Sequence, residues 1–276
     1  MMIIRRWAAV LINCVMLASL LVSATAQQHT REAPANIRSK LFRQVLADFK
    51  ELRECIEQDE GGARAAEAKM TVEEVDLNRD GVPEYKVEMG GGCACGAANC
   101  SVFIYRKAGD GFESLLDDAS GLGVEVLKSA TNGYADLVVT AHDTAATQYE
   151  TTYKFDGKRY RESKNTLIQL ETGERKPAFR RVQFKRGASS TTLQGKVSIS
   201  LPDTYLLGAR AGQIMTVKLT AARKAVRFMV MSPTTSTLVV DNAREWTGTL
   251  PETGDYHIII DADEVPSTYS ITITIK

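Results

Sequence analysis

The sequence has no surplus of either charge, and this absence excludes a large class of partners. Lysine and arginine together number 34, and so do aspartate and glutamate. A protein that binds nucleic acid needs a basic surplus or a basic stripe along one face. We therefore expect no nucleic-acid partner.

The sequence also lacks the local motifs of common catalytic sites. Its three histidines are His29, His142 and His257, and none belongs to a His-Glu-x-x-His run. No Gly-x-Ser-x-Gly nucleophile elbow occurs. The three glycines that end at Gly92 lead into a cysteine and do not open a phosphate-binding helix. We therefore predict a protein that is not an enzyme. A hydrolase whose carboxylates come together only on folding is the alternative.

Only one long apolar run is present, from Trp7 to Val22. Arg5 and Arg6 precede it, and small residues ending at Ala26 follow it. A basic start, a short apolar centre and a small-x-small end are typical of a secretory signal peptide, here residues 1–26. We expect a periplasmic or secreted protein whose mature chain has no membrane span.

Four cysteines remain after this leader, namely Cys55, Cys93, Cys95 and Cys100. In an exported chain, four cysteines indicate two disulfides first. Three pairings are possible and the sequence selects none, although Cys93 and Cys95 are too close to bridge each other easily. A metal cluster is the alternative, and it would require histidines near these cysteines. None is near.

An amphipathic pattern follows a polar stretch, residues 27–35, which we expect to be flexible. Six apolar residues recur at three- and four-residue steps: Ile37, Leu41, Val45, Phe49, Leu52 and Ile56. This spacing predicts one helix with an apolar stripe, ended by Gly61 and Gly62. Strand-like segments separated by Gly and Asp-Gly turns come next. The pattern predicts an α+β domain over residues 36–163, with one helix on an antiparallel sheet.

The rest of the chain favours β-structure throughout. Residues 164–179 are polar and contain Pro177, and we interpret them as a linker. Over residues 180–276 short strand-like segments recur, which predicts an all-β sandwich. The last strand alternates clearly, with Tyr269 and three isoleucines on one face and threonines on the other.

The segment from Asp76 to Glu84 is the sharpest chemical motif. Asp76, Asn78, Asp80 and Glu84 place side-chain oxygens at positions one, three, five and nine of a loop. Gly81 permits the sharp turn at position six, and the Val82 carbonyl is available at position seven. This is the oxygen supply that Ca²⁺ requires, so the loop is a candidate for a structural calcium site.

The match to a helix–loop–helix calcium site is incomplete, because position twelve is Val87 and the flanks are predicted strands. The loop resembles instead the calcium loops of integrin-type FG-GAP repeats. Only one copy is present, so a propeller is not expected. The alternative is a simple Asp-Gly hairpin whose polar side chains bond their own backbone.

The C-terminal third carries a recognisable pattern. It resembles bacterial periplasmic inhibitors of goose-type (g-type) lysozyme, and also pre-peptidase C-terminal domains. The resemblance is carried by residues 182–195, by Tyr205–Gln213, by Thr247–Tyr256 with its Leu-Pro-x-x-Gly-Asp-Tyr run, and by the final strand Tyr269–Ile275. Both families are small β-sandwiches. We interpret Tyr205, Trp246 and Tyr256 as residues that fill such a fold.

The resemblance implies a protein-binding function, with a g-type lysozyme or another envelope protein as partner. An inhibitor must cover an acidic glycosidase cleft, and in the family the loop before the final strand is rich in Arg. Here that loop, Asp261–Thr268, is acidic and has no Arg. The positive charge would then come from elsewhere, either from Lys185 and Arg186 or from Arg210 with Arg223 and Lys224, and we take Lys185, Arg186 and Arg210 as the candidate partner-binding residues. The alternative function is a calcium-stapled envelope module with a carbohydrate-binding or scaffold role.

Overall fold

The computed structural model describes residues 31–198, 200–234, 237–262 and 266–276, with only the backbone at position 118. The predicted signal peptide and His29 lie outside these residues. Within the described part of the chain, none of the helices is both long enough and apolar enough to cross a membrane.

Three helices lie near the start of the described chain, where the sequence predicted one. They are α1 (Ala35–Asp48), α2 (Lys50–Gln58) and α3 (Gly62–Lys69). The single-helix prediction was wrong because Phe49 leaves the helical region, with φ −119° and ψ 88°. Its ring then packs on Phe103, with 4.7 Å between the ring centroids. The alanine-rich α3 buries none of its side chains, so it shows no apolar stripe.

The predicted stripe nevertheless lies where an amphipathic helix should place it. Leu41, Val45 and Ile56 are buried, while Ile37, Phe49 and Leu52 pack at the margin of the same core. That core lies against a five-stranded antiparallel sheet in the order β1–β2–β3–β4–β5. The strands are β1 (Arg31–Glu32), β2 (Thr71–Val75), β3 (Glu84–Met89), β4 (Cys100–Ala108) and β5 (Gly111–Gly121). Residues 31–35, part of the segment expected to be flexible, form β1 and the start of α1.

Strand β5 was not predicted, and a bulge explains why. Tyr105 pairs with Ser114 and Ile104 pairs with Leu116, so Leu115 is an extra residue in the ladder. The bulge lets the consecutive residues Leu115 and Leu116 both be buried. A strand of this kind lacks the two-residue alternation by which strands are recognised.

A second five-stranded antiparallel sheet covers the other face of the first sheet, where the sequence predicted a single sheet. Its order is β10–β9–β8–β7–β6, and Ile104 and Leu115 share a core with Leu137 and Phe155. The strands are β6 (Val124–Thr131), β7 (Tyr134–His142), β8 (Thr147–Phe155), β9 (Tyr160–Gln169) and β10 (Arg175–Pro177). The predicted linker, residues 164–179, thus contains the end of β9 and all of β10.

The C-terminal unit has two sheets that share one hydrophobic core. Their orders are β11–β13–β18–β15–β16 and β12–β19–β14–β17, and only β11 and β13 run parallel among these pairs. The strands are β11 (Arg180–Arg181), β12 (Ser190–Val197), β13 (Asp203–Ala209), β14 (Ile214–Ala221), β15 (Val226–Met231), β16 (Leu238–Ala243), β17 (Glu245–Thr249), β18 (Gly254–Ala262) and β19 (Ser267–Ile275).

The inward residues of this unit match the predicted alternation. Tyr269, Ile271 and Ile273 of β19 are buried, whereas the threonines between them lie on the outer face. Tyr205 and Tyr256 are also buried, and Trp246 packs at the edge of the same core. The three aromatic residues that were expected to fill the fold therefore contribute to packing.

Candidate functional site

The acidic loop joins β2 to β3, as the sequence predicted. The Asp76 carboxylate accepts hydrogen bonds from the backbone N–H groups of Asp80 (3.2 Å) and Gly81 (3.0 Å), and the Asp80 carboxylate accepts one from Val82 (2.7 Å). Arg79 and Gly81 both have positive φ, 61° and 84°. The loop therefore closes as an Asx-type turn on its own backbone.

Glu84 is the buried member of this loop, with 3% of its surface exposed. Its carboxylate accepts a hydrogen bond from the Leu77 N–H at 2.8 Å and one from the Tyr134 hydroxyl at 3.4 Å. Burial raises the pKa of Glu84, and the negative charges of Asp80 and Asp76 raise it further. The buried carboxylate is thus held near two others, and no cationic side chain of the described residues forms an ion pair with it.

The loop brings the predicted ligands Asp76, Asn78, Asp80 and Glu84 into one turn. The Asn78 amide donates to Asp80 Oδ2 at 2.9 Å and to the Tyr134 hydroxyl at 3.1 Å, which ties the turn to β7. No cluster of three or more His, Cys, Asp or Glu side chains has the arrangement of a metal site among the described residues. As the loop stands, its oxygens are engaged by the protein's own donors.

The four described cysteines form two disulfides, Cys55–Cys93 and Cys95–Cys100. The first bridge ties α2 to the glycine-rich segment before β4, a pairing that the sequence left open. The second closes a short loop that contains Asn99. The Asn99 amide donates to the His142 carbonyl and accepts from the His142 N–H, both at 2.8 Å. The loop is thereby fastened to the second sheet.

A buried charged cluster joins the two units of the chain. We call residues 31–177, with α1–α3 and the first two sheets, the first unit, and residues 180–276 are the C-terminal unit. Asp203 accepts hydrogen bonds from Lys176 Nζ at 2.9 Å, from the Arg180 guanidinium at 2.6 Å and from the Tyr269 hydroxyl. Tyr269 also bonds Tyr205 at 2.9 Å. Sequence analysis missed this cluster, because its members are up to 93 positions apart and no local spacing connects them. Because Lys176 belongs to β10 and Asp203 to β13, the cluster fastens the second sheet to the C-terminal unit.

The three predicted partner-binding cations lie at one end of the C-terminal unit. Strand β11 runs parallel to β13, with Arg180 beside Tyr205 and Arg181 beside Leu206. The chain after β11 therefore continues toward Ala209, so Lys185 and Arg186 leave the sheet at the end where Arg210 begins the next turn. All three side chains are exposed. The buried Asp203 cluster lies at the opposite end of β13.

The surroundings of these cations leave them unneutralised. Arg181 forms a two-pronged ion pair with Asp255, at 2.8 and 2.7 Å. Lys185, Arg186 and Arg210 form no ion pair with any residue in the described ranges. A shallow cavity of about 330 Å³ lies beside Arg210, with Gln213 and Thr253 in its lining. We call Lys185, Arg186 and Arg210 the cationic end.

The acidic segment Asp261–Thr268 before the final strand starts at the other end of the unit, since β18 leads from Gly254 to Ala262 and away from the cationic end. Asp261 belongs to β18, while residues 263–265 lie outside the described ranges. The two described histidines do not meet, because His142 ends β7 in the first unit and His257 lies exposed on β18. No catalytic residue was proposed from the sequence.

Comparison with known proteins shows partial structural similarity. No protein-family model and no curated protein matches the chain. The periplasmic inhibitor of g-type lysozyme from Aeromonas hydrophila is 29% identical, with 35% of this chain and 94% of that chain covered and a TM-score of 0.33. The inhibitor from Salmonella Typhimurium is 24% identical, with 35% and 96% covered and a TM-score of 0.30.

A third solved structure is similar over the same share of the chain. The pre-peptidase C-terminal domain of a collagenase from Bacillus anthracis is 12% identical, with 35% of this chain and 92% of that chain covered and a TM-score of 0.27. All three likenesses concern about a third of this protein, so they describe one part of the molecule and not its whole.

Proposed function

We propose that this is an exported, non-enzymatic protein that binds another protein through the cationic end of its C-terminal unit. The observation that carries the proposal is the placement of Lys185, Arg186 and Arg210. They are separated by 24 residues or more between the two turns, yet the parallel pairing of β11 and β13 brings both turns to one end. They are exposed and make no ion pair with the described residues, as a surface meant for an acidic partner requires.

The proposed partner is a g-type lysozyme. Glycosidases hold a pair of carboxylates around the scissile bond, so their clefts attract a cationic surface. The quoted segments of the C-terminal unit resemble inhibitors of this enzyme class, and we interpret the unit as a β-sandwich of that kind. The acidic segment Asp261–Thr268 would repel such a cleft. The opposite, cationic end is therefore the one that we assign to docking.

Lysis assays with goose egg-white lysozyme test this proposal. The oxidised protein is expected to suppress lysis at micromolar concentration. The triple variant Lys185→Glu, Arg186→Glu, Arg210→Glu is expected to lose the effect by at least about tenfold, because three favourable charges become repulsive. The matched control reverses three exposed lysines of the first unit that also lack ion pairs: Lys107, Lys154 and Lys164. Absence of both inhibition and binding would overturn the proposed partner.

Export of the protein from the cytoplasm is the second part of the proposal. Two disulfides are consistent with a location outside the cytoplasm, where thiols are not kept reduced. Cell fractionation and mass spectrometry of the mature protein test this part. We expect an N-terminus after Ala26 and four cysteines without free thiol. A full-length chain in the cytoplasm would contradict it.

We propose as a second candidate function that the acidic loop binds Ca²⁺ as a structural staple. The observation that favours it is Glu84, a carboxylate buried beside Asp76 and Asp80 whose pKa is raised by burial. A divalent cation would offset this concentration of negative charge. The side chains of Asp76, Asn78, Asp80 and Glu84, with the Val82 carbonyl, would be its ligands.

Thermal unfolding with Ca²⁺ and with chelator tests the second candidate. At a Ca²⁺ concentration of 100 times Kd, binding stabilises the folded state by about 2.7 kcal/mol. We expect Asp80→Asn to reduce this difference and Asp110→Asn, in an exposed turn, to leave it unchanged. Identical melting in both solutions would show that the loop is a bare turn, and would leave the lysozyme proposal untouched.

A further inference from the structure

A cavity of about 250 Å³ opens on the outer face of the C-terminal unit, away from the cationic end. Strands β15, β16 and β18 line it. Its lining includes Arg227, Met229, Asp241, Asn242, Ile259 and Asp261. Along β15, Arg227 and Met229 alternate with the buried residues Val226 and Phe228, so they belong to the outer face.

A β-bulge in strand β16 shapes this cavity. Phe228 pairs with Ala243 and Val230 pairs with Val240, so three steps of β16 lie against two steps of β15. Asn242, inside the bulge, has a φ of 49°, which Asn tolerates better than most residues. Bulges redirect side chains near functional sites. Here the bulge places Asp241 and Asn242 at the rim of the cavity.

The two carboxylates of the cavity are not neutralised by the arginine beside them. Arg227 and Asp261 are directly opposed in the ladder, yet the Arg227 guanidinium donates to the backbone carbonyls of Lys224 and Val226. Asp261 accepts a hydrogen bond from the Ala262 N–H at 2.7 Å. Neither Asp241 nor Asp261 forms an ion pair within the described chain. Both carboxylates therefore keep free acceptor positions.

Besides Arg227 and Asn242, the remaining lining is apolar. Met229 and Ile259 are partly exposed, and they lie on neighbouring strands in direct register. The cavity thus combines two acceptor-rich carboxylates with a hydrocarbon floor, and the Arg227 guanidinium is engaged by backbone carbonyls. A ligand that matches both parts has a cationic tip and an apolar stem. A calcium or magnesium ion matches only the first, since it needs about six oxygen ligands.

We propose that this cavity receives an arginine side chain from a protein partner. A guanidinium presents five N–H donors in a planar fork that fits carboxylate oxygens, and it is less strongly hydrated than an ammonium group. The methylene stem can lie on Met229 and Ile259 while the fork reaches Asp241 and Asp261. The site is independent of the cationic end, because it has the opposite charge preference and lies elsewhere on the unit.

NMR titration of the whole protein, labelled at Met and Ile methyl groups, tests the proposal. The probe is acetyl-Gly-Arg-Gly-amide, and its uncharged counterpart carries citrulline in place of arginine. We expect the arginine peptide to shift the Met229 and Ile259 signals with a Kd of roughly 1 mM, as a single side chain allows. The citrulline peptide is expected to bind at least about tenfold more weakly, because its tip has no charge.

The variants Asp241→Asn and Asp261→Asn are each expected to weaken binding by about fivefold or more. Asp110→Asn, in the first unit, is the matched control, and unchanged methyl signals away from the cavity verify folding of each variant. Equal binding of the two peptides, equal effects of Asp110→Asn and Asp241→Asn, or shifts confined to other methyl groups would each overturn the proposal. Tighter binding of free L-arginine than of the peptide would identify a small-molecule site and reject the protein partner.

Discussion

Lys176 donates to Asp203 across the junction of the two units, with 2.9 Å between Nζ and the carboxylate. Both side chains are nearly buried, at 15% and 7% exposure. Burial lowers the pKa of Lys176, whereas the neighbouring carboxylate opposes that change. This ion pair links the first unit to the C-terminal unit, so its removal should destabilise both units.

The first prediction concerns Asp203→Asn. Loss of one partner leaves the other charge buried and uncompensated, which costs about 3 kcal/mol of unfolding free energy. Urea unfolding measures it. The control is Asp255→Asn, which breaks the exposed Arg181–Asp255 pair and should cost less than about 1 kcal/mol. Similar losses in the two variants would contradict the prediction.

The second prediction concerns Gly195, which lies in β12 opposite Tyr269. A Cβ atom there would overlap the Tyr269 hydroxyl and the Asp203 carboxylate. Gly195→Ala should therefore destabilise the protein by about 2 kcal/mol, as overpacking does. Gly92→Ala, where nothing lies within 4 Å of the added atom, is the comparison. An unchanged urea midpoint for Gly195→Ala would contradict the prediction, because Tyr269 and Asp203 would then have shifted without loss of stability.

The third prediction concerns acid. Asp156 accepts hydrogen bonds from the N–H groups of Arg159 and Lys158 and from the Arg161 side chain, and these lower its pKa from 3.8 to about 2. A carboxyl group whose pKa falls on folding stabilises the folded state above its unfolded pKa. That contribution is lost as the pH falls from about 4 to about 2.

The Asp156→Ala variant should thus be less stable than the natural protein at pH 6, and the difference should shrink toward pH 2. Urea midpoints at both values measure this. An NMR titration of the Asp156 carboxyl carbon gives the pKa directly. A pKa near 3.8 in this titration would show that the hydrogen bonds to Asp156 do not lower its pKa.

The fourth prediction separates the disulfides. Cys55–Cys93 spans 38 residues and Cys95–Cys100 spans five, so chain-entropy arguments give stabilisations of about 4 and 2 kcal/mol. The double replacement of Cys55 and Cys93 by Ser should therefore lower the urea midpoint more than that of Cys95 and Cys100. The reverse order would mean that the fastening of the short loop by Asn99 outweighs chain entropy.

Local patterns predicted much of the fold, and the failures have physical reasons. The alternation of β19 and the stripe from Leu41 to Ile56 place the side chains that are found buried. Strand β5 was not predicted because its bulge breaks the alternation. The helix interruption at Phe49 was not predicted because a tertiary contact with Phe103 sets the backbone there. Helix α3 has no fully buried side chain, so no apolar periodicity marks it.

The candidate sites depended more strongly on tertiary structure. Asp76–Glu84 was recognisable because all the candidate ligands lie within one loop. The convergence of Lys185 with Arg210 depends on the pairing of β11 with β13, which the local sequence does not encode. Asp241 and Asp261 line one cavity only because β15 pairs with both β16 and β18, and the Asn242 bulge has no local signature that distinguishes it from an ordinary turn.

The segment Arg175–Arg181 supplies β10 to the second sheet and β11 to the C-terminal unit, with only Ala178 and Phe179 between the two strands. Such a seam has mechanical consequences. Separation of the two units would require hydrogen-bonded strands on either side of these two residues to shear. So short a connection also offers a protease few exposed peptide bonds between the strands. The two units should accordingly tumble together in solution as one particle.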